Sequence, residues 1–303
     1  MRKLFIVTLC VAGIVGCGSK SRVDAGSELC EIAADNGSAY VSTPQVPEYV
    51  IFAGDTVWID TPDKVERMDR EMMNFTYGHT LTSLMLKRAP KIYPQVEPIL
   101  EKNGLPDDLK YLMTIESNLD ENARSVAGAA GLWQFMKGTA GEYGLEISST
   151  VDERYNLEKE TEAACKLLKR AYAKYGNWMT VAASYNCGPG NIDKCIKAQG
   201  EKDAMNLWLV EETSRYMFRI LVAKMLVENP EAFGFNIDES RKYKPVAFKT
   251  VTVSEPVTSW AAWAKQHGTD YNQLRRINCW IRDSYLENKS KKTYKVKVPI
   301  SDR

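Results

Sequence analysis

Residues 116–136 read ESNLDENARSVAGAAGLWQFM, and this stretch decides how the chain around it folds. It begins with a carboxylate, Glu116, and continues with a hydroxyl at Ser125 and an amide at Gln134, separated by small residues. Further along the chain comes a second polar and aromatic segment, 184–191, with the sequence SYNCGPGN. A single acid surrounded by hydrogen-bonding groups suits proton transfer to and from a sugar.

The segment before Glu116 predicts a helix that carries this acid on its apolar side. Residues 105–108, LPDD, are typical of a helix start, with a proline and two acids in the first turn. Leu109, Leu112, Met113 and Glu116 then recur at helical spacing. Burial among apolar side chains raises the pKa of a carboxyl group, as a general acid working near neutral pH requires. The alternative is a glutamate at the edge of the stripe that reaches solvent or pairs with a lysine or arginine.

Three short motifs follow one another along the chain: 116–117 (ES), 131–134 (GLWQ) and 183–186 (ASYN). In type and order they resemble the motifs of the lytic transglycosylases of the soluble-lytic-transglycosylase, or goose-lysozyme-like, class. The form with Trp133 before Gln134 is most similar to the membrane-bound members. The resemblance covers about residues 95–200. It implies a mainly α-helical, lysozyme-like catalytic domain that needs no cofactor.

The resemblance also implies an activity. Such enzymes cleave the β-1,4 bond between N-acetylmuramic acid and N-acetylglucosamine, so the expected partner is a peptidoglycan glycan strand and the expected role is cell-wall remodelling. Glu116 would protonate the glycosidic oxygen. Once ionised, Glu116 would remove the proton from the sugar's own C6 hydroxyl, and that oxygen would close a 1,6-anhydro ring. The class needs no second carboxylate.

Ser125 and Gln134 match positions at which that class contacts the acid or the sugar, and Met136, Tyr185 and Asn186 are expected to join them in binding the substrate. Gln134 offers both a donor and an acceptor to an N-acetyl group. The Tyr185 hydroxyl can orient Glu116 or meet the developing charge, Asn186 shapes its loop, and Met136 gives a soft apolar wall. Two alternatives stay open: Ser125 as a helix cap and Met136 as a core residue. Trp133 is expected to pack in the core rather than to stack on sugar.

Two other functions compete with the lytic reaction. A hydrolytic muramidase would use water as acceptor and would usually need a second carboxylate. Asp120, one turn further along the predicted helix, could lie near Glu116, although a solvated acid at the helix end is the simpler interpretation. A non-catalytic lipoprotein that only grips glycan is the third hypothesis, and the presence of Glu116 argues against it.

The N-terminus has the pattern of a lipoprotein signal peptide, residues 1–16. Arg2 and Lys3 precede an apolar run that ends in Gly16-Cys17 and is too short to span a membrane. Cys17 is then expected to carry lipid and to attach the protein to a membrane of the bacterial cell envelope, most simply the outer membrane facing the periplasm. The alternative is a secretory leader with a chance cysteine. Residues 17–50 read as a lipidated N-terminus and flexible tether.

Composition and cysteine usage exclude several functions. The net charge is +1, without the basic excess of a nucleic-acid-binding protein. No CxxC pair occurs and the only two histidines are far apart, so no metal site is predicted. Cys165 is expected to be a small core residue, and a disulfide between Cys187 and Cys195 is one alternative in an oxidising compartment.

The sequence divides into a helical transglycosylase domain, residues 51–240, and a C-terminal module, residues 245–303. The module alternates a strand at 248–253, two helices and a strand at 292–299, and this β-α-α-β order resembles a LysM module. Residues 254–257, SEPV, replace the Gly-Asp-Thr turn of that family, so a small structural appendix remains an alternative to glycan binding. The module is expected to fold apart from the helical domain.

Overall fold

The computed structural model describes residues 44–289 and 291–300. The predictions for the signal peptide, for lipid on Cys17 and for most of the tether lie outside the described residues. None of the described helices is both long enough and apolar enough to cross a membrane.

The chain enters the fold through a hairpin that was not predicted. Strands β1 (Tyr49–Phe52) and β2 (Asp55–Trp58) pair in antiparallel register. Val50 and Phe52 alternate with exposed residues and are buried, because successive side chains of a strand point to opposite faces. The first described strand therefore begins just inside the end of the predicted tether.

A mainly helical domain follows, in agreement with the predicted fold class. The helices are α1 (Pro62–Tyr77), α2 (His79–Lys102), α3 (Lys110–Ser117), α4 (Lys137–Glu142), α5 (Leu157–Tyr175), α6 (Trp178–Cys187), α7 (Pro189–Gln199) and α8 (Glu211–Glu228). Side-chain oxygens of Thr61, Asn156 and Asn177 cap α1, α5 and α6 by accepting backbone N–H bonds, and Gly176 ends α5 in the left-handed conformation. Local sequence signals thus set several of these helix ends.

Helix α8 starts later than its sequence suggests. The spacing of apolar residues predicts an amphipathic helix from Leu207 to Val227, but α8 begins at Glu211. The Gln199 side chain exchanges two hydrogen bonds with the backbone of Trp208, at 2.7 and 2.9 Å, and the backbone at Val210 is extended. These side-chain bonds replace the helical bonds that the segment would otherwise form.

Helices α1 and α8 pack together, and this packing positions α8, which contributes side chains to the candidate site. Met68 and Met72 of α1 are fully buried. The carboxylate of Glu71 is also buried and accepts two bonds from the guanidinium of Arg215 on α8, at 2.6 and 3.1 Å. A bidentate pair of this kind fixes direction as well as distance.

The C-terminal module has the predicted β-α-α-β order. Its elements are β3 (Phe248–Val253), α9 (Trp260–Gln266), α10 (Tyr271–Ile277) and β4 (Tyr294–Pro299), and β3 pairs antiparallel with β4. Asn278 joins α10 to β4, because its amide donates to the Lys297 carbonyl at 2.7 Å and accepts from the Lys297 N–H at 2.9 Å. The buried amide is thereby satisfied.

The module does not stand apart from the helical domain, contrary to the sequence prediction. One hydrophobic cluster contains buried residues of both parts: Ala130, Val151 and Tyr155 of the helical domain, and Trp260, Leu274, Trp280, Ile281 and Val296 of the module. Residues 43–303 form a single compact unit. The prediction went wrong because several of the residues that join the two parts, Ala130, Val151, Trp280 and Ile281, lie in irregular segments, where periodicity carries no information.

Candidate active site

Glu116 lies in the last turn of α3, at the position that the apolar stripe predicted. Its Oε1 accepts a hydrogen bond of 2.7 Å from the hydroxyl of Tyr216. Burial raises the pKa of the Glu116 carboxyl to about 7, against the opposing effects of the Tyr216 bond and the charge of Arg219. The charge of Glu212 adds to the increase. The carboxyl group therefore exchanges its proton near neutral pH.

Tyr216 was missed by sequence reasoning. It lies on α8, one hundred residues from Glu116, and its helical spacing with Ile220 and Ala223 is typical of a core residue. Tyr216 is indeed buried, but its hydroxyl needs a partner there and Glu116 supplies it. The one local signal was a hydroxyl-bearing aromatic residue within an apolar stripe.

Residues 123–136 form a tight loop, called the glutamine loop below. Ser125 is exposed, and its backbone and hydroxyl both bond to Ala129, closing a turn. Ser125 does not precede a helix, so it is not a helix cap. Gly131 has a φ of +82°, and an added Cβ would lie 1.7 Å from the carbonyl oxygen of Arg154, so only glycine fits there.

Gln134 is held in an uncommon backbone conformation, with a φ of +49°. Its side-chain nitrogen donates to the carbonyls of Gly131, at 2.7 Å, and Ala123, at 3.2 Å. Among the described residues, its side-chain oxygen accepts no hydrogen bond. Both donors of the amide are thus used within the loop, and the acceptor stays available.

Trp133 packs in the core, which confirms the prediction. Its ring is fully buried, and its indole N–H donates to the hydroxyl of Thr161 at 3.0 Å. Its backbone N–H donates to the buried carboxyl of Glu160 at 3.1 Å. Burial raises the pKa of Glu160 well above its usual value, which sequence reasoning did not anticipate.

Tyr185 and Asn186 come from the end of α6, and each makes one side-chain bond to another part of the site. The Tyr185 hydroxyl donates to the carbonyl of Trp133 at 2.6 Å rather than to Glu116. Asn186 accepts a hydrogen bond from the Thr213 hydroxyl of α8 at 2.7 Å. The second motif segment is therefore fixed between the glutamine loop and α8.

A cavity of about 540 Å³ lies between the end of the glutamine loop, helices α4 and α5, and the end of α6. It brings together four of the residues named from the sequence, Gln134, Met136, Tyr185 and Asn186, but Glu116 and Ser125 do not line it. Met136 is 47% exposed, which excludes the core alternative. A cavity of about 560 Å³ between α2 and the end of α8 contains none of these residues.

Asp120 is not on the helix that carries Glu116. Helix α3 ends at Ser117, and the next two residues, Asn118 and Leu119, both have positive φ angles and turn the chain away. The Asp120 carboxylate then pairs with Arg88 at 3.2 Å. This pairing supports the simpler interpretation of Asp120 as an acid outside the chemistry.

The cysteines carry no cross-link in the described part of the chain. Cys187 and Cys195 are both free thiols, and Cys165 is fully buried, as predicted. Within residues 44–289 and 291–300, no group of three or more histidine, cysteine or acidic side chains is arranged to hold a metal ion.

Comparisons with known proteins agree with the motifs. Residues 97–208 match the family profile described as the transglycosylase SLT domain, and residues 249–302 match the soluble lytic transglycosylase C-terminal LysM-like domain. The membrane-bound lytic murein transglycosylase D of Escherichia coli K12 is 29% identical over 296 residues, covering 90% of this chain and 63% of that protein. The chain thus spans less than two thirds of the length of this relative.

More distant matches extend over smaller parts of the relatives. The peptidoglycan transglycosylase gp16 of Escherichia phage T7 is 31% identical over 155 residues, 49% of this chain and 12% of the phage protein. The solved structure of the lytic transglycosylase Slt of Pseudomonas aeruginosa covers 60% of this chain and 33% of its own, at 18% identity and a TM-score of 0.40. The two family matches confirm the predicted combination of a transglycosylase SLT domain and a LysM-like domain.

Proposed function

We propose that this protein is a peptidoglycan lytic transglycosylase. It would cleave the β-1,4 bond between N-acetylmuramic acid and N-acetylglucosamine and leave 1,6-anhydro-N-acetylmuramic acid ends. The observation that carries the proposal is Glu116, a carboxyl group with a pKa of about 7 beside the transglycosylase motifs. One group with this pKa can act first as an acid and then as a base at neutral pH.

In the first step, protonated Glu116 donates its proton to the glycosidic oxygen. The bond between that oxygen and the anomeric carbon breaks, and its electron pair stays with the leaving sugar. Glu116 is now a carboxylate, and the bond from the Tyr216 hydroxyl, 2.7 Å in the free protein, stabilises that charge. The carboxylate lies close to the positive charge that develops at the anomeric carbon.

In the second step, the Glu116 carboxylate takes the proton of the C6 hydroxyl of the muramic acid. The freed oxygen attacks the anomeric carbon and forms the anhydro ring, so the acid is regenerated and no water is consumed. Both steps use one side chain. This agrees with the surroundings of Asp120, whose carboxylate already forms an ion pair with Arg88.

The substrate would lie across the glutamine loop. Gln134, Met136, Tyr185 and Asn186 line the cavity of about 540 Å³, which supports a role in holding the sugars. The free acceptor of Gln134 suits the N–H of an N-acetyl group, and the exposed Met136 offers an apolar contact. Ser125, exposed and outside this cavity, would contact a more distant part of the glycan.

The cell-envelope location is also proposed. We place the anchor at Cys17, after a signal peptide of residues 1–16, with the protein in the outer membrane facing the periplasm. Residues 51–240 would form the catalytic domain and residues 245–303 the LysM-like domain, which would add a contact to peptidoglycan. The relative whose name includes membrane attachment supports this proposal.

A hydrolytic muramidase is the second candidate, and the observation in its favour is a second carboxylate, Glu212, near Glu116. Its charge raises the pKa of Glu116, so this exposed carboxylate of α8 is close enough to interact with the acid. If Glu212 activated water, the released ends would be hydrolysed rather than anhydro. Glu212→Gln would then abolish release.

The experiment is mass spectrometry of the ends released from purified sacculi. The wild type should yield anhydro ends, which are one water lighter than hydrolysed ends. Glu116→Gln should release nothing, whereas Asp120→Asn, a matched loss of an acid in the same segment, should cleave normally. Hydrolysed ends would establish the muramidase, and binding without any release would leave only a wall-binding lipoprotein.

A further inference from the structure

The LysM-like domain is bound to the catalytic domain through main-chain hydrogen bonds. The N–H of Asp152 donates to the carbonyl of Trp280 at 2.9 Å, and the N–H of Arg282 donates to the carbonyl of Thr150 at 2.9 Å. Val151, between them, is fully buried and pairs with Ile281 as a short β-bridge. We call residues 146–158 of the catalytic domain the docking segment.

Side chains at the edge strengthen this contact. Glu146 accepts bonds from Lys292, at 2.8 Å, and from the hydroxyl of Tyr294, at 3.1 Å. Lys297 forms an ion pair with Glu158 at 2.6 Å. Two main-chain hydrogen bonds around a β-bridge, a shared hydrophobic core and ion pairs at the rim together indicate a fixed rather than a tethered domain.

The docking segment in turn holds the glutamine loop through Arg154. Arg154 is 6% exposed, and its Nε and Nη2 donate to the carboxylate of Asp152 at 3.0 and 2.8 Å. Its Nη1 donates to the carbonyls of Gly128, at 2.9 Å, and Phe135, at 3.1 Å. One side chain therefore connects Asp152, whose N–H is bonded to the LysM-like domain, to two carbonyls of the glutamine loop, one before and one directly after Gln134.

We propose that Arg154 is a positioning residue for Gln134, and that the LysM-like domain acts on the active site by holding Asp152 and Arg154 in place. The inference rests on the proposed transglycosylase function. It assigns the LysM-like domain a second role, as part of the structure that shapes the catalytic loop, in addition to any contact of its own with glycan.

The geometry gives the reason why such support is needed. Gln134 has a positive φ, which a residue other than glycine adopts only when its surroundings enforce it. Ala130 and Phe135 bond to each other across the turn, and Arg154 bonds to Phe135 from outside. Loss of Arg154 would leave two inward-facing carbonyls without their charged donor and would let the turn relax.

The first test is Arg154→Lys, which keeps the positive charge. A lysine ammonium cannot reach Asp152 and both carbonyls at once, because it lacks the planar fork of arginine. We expect kcat/KM on short soluble glycan chains to fall roughly 10- to 100-fold, the effect of a small misplacement of a binding group. The pH at which activity falls on the alkaline side should not move, since Tyr216 and not Arg154 contacts Glu116.

Leu100→Ala provides the matched control for stability. Leu100 is a fully buried residue of α2 outside the cavity, and its truncation should also lower the melting temperature. Both variants are assayed well below their melting temperatures. A purely structural role predicts equal, near wild-type turnover for the two, and that result would overturn the assignment of Arg154.

The second test connects the LysM-like domain to Arg154. Trp280→Ala in the full chain removes a buried ring that stacks on Tyr294 at 5.4 Å beside the Asp152 bond. It should lower kcat/KM in the same way as Arg154→Lys, and the double variant should lose little more than the worse single variant. Additive losses, or normal turnover in Trp280→Ala, would overturn the role of the domain.

An assay of the wild-type protein distinguishes failure of this inference from failure of the proposed function. Wild-type protein that releases no anhydro ends overturns the transglycosylase proposal and this inference with it. Wild-type cleavage together with an unimpaired Arg154→Lys variant overturns the positioning role alone. Both tests keep the LysM-like domain in the chain, because its removal would expose the buried Val151 and Tyr155.

Discussion

Replacement of Glu116 by glutamine should stabilise the protein at high pH while it abolishes cleavage. The pKa of this carboxyl is about 7 in the folded protein against an ordinary value of 4.5, so the folded state binds its proton more tightly than the unfolded chain. Below pH 4.5 the group is neutral in both states and costs nothing. Between 4.5 and about 7 the unfolded chain ionises first, so stability falls as the pH rises.

The magnitude follows from the two pKa values. Their difference corresponds to a penalty of at most about 3 kcal/mol, reached above pH 7. Glu116 is only partly shielded from solvent, so we expect about 1–2 kcal/mol. Glutamine removes this penalty, because it resembles the protonated acid and still offers an oxygen to the Tyr216 hydroxyl.

Thermal unfolding at pH 4.5 and pH 8 measures this effect. Glu116→Gln should melt at the wild-type temperature at pH 4.5 and roughly 2–8 °C higher at pH 8. Glu66→Gln, at an exposed position of α1, is the control and should change neither value. An equal melting temperature for Glu116→Gln and the wild type at pH 8 would refute the raised pKa of the Glu116 carboxyl, even if the variant is inactive.

Three further predictions concern other parts of the chain. Tyr216→Phe removes the donor that stabilises the Glu116 carboxylate, so the pKa should rise further and the alkaline limit of kcat/KM should move up by about one pH unit; an unmoved limit would contradict the bond. Gly131→Ala should lower soluble yield and melting temperature severely, because its Cβ meets the Arg154 carbonyl, and a well-folded variant would disprove this close approach. Cys17→Ser should remain unprocessed or leave the membrane fraction, and labelled palmitate that fails to enter the wild type would rule out the lipid anchor.

The sequence predicted those parts of the site that are set by local rules. Spacing of apolar residues placed Glu116 correctly on a helix, and glycine and aromatic residues marked the glutamine loop. The roles of Tyr216 and Arg154 could not be predicted from the sequence. Tyr216 bonds to a residue that is distant in sequence, and Arg154 bonds to backbone carbonyls, which leave no pattern in the sequence. The docking of the LysM-like domain could not be predicted either, because Trp280 lies in an irregular connection and bonds to the docking segment, which is also irregular there.

The abrupt end of α3 has a consequence for the electrostatics of its acid. Asn118 and Leu119 end the helix directly after Ser117, so Glu116 lies in the last turn, whose carbonyls have no further helical N–H groups to accept from. These carbonyls give the end of the helix a partial negative charge, which disfavours the ionised form of the Glu116 carboxyl group. The left-handed pair that turns the chain into the glutamine loop therefore also helps Glu116 to retain its proton.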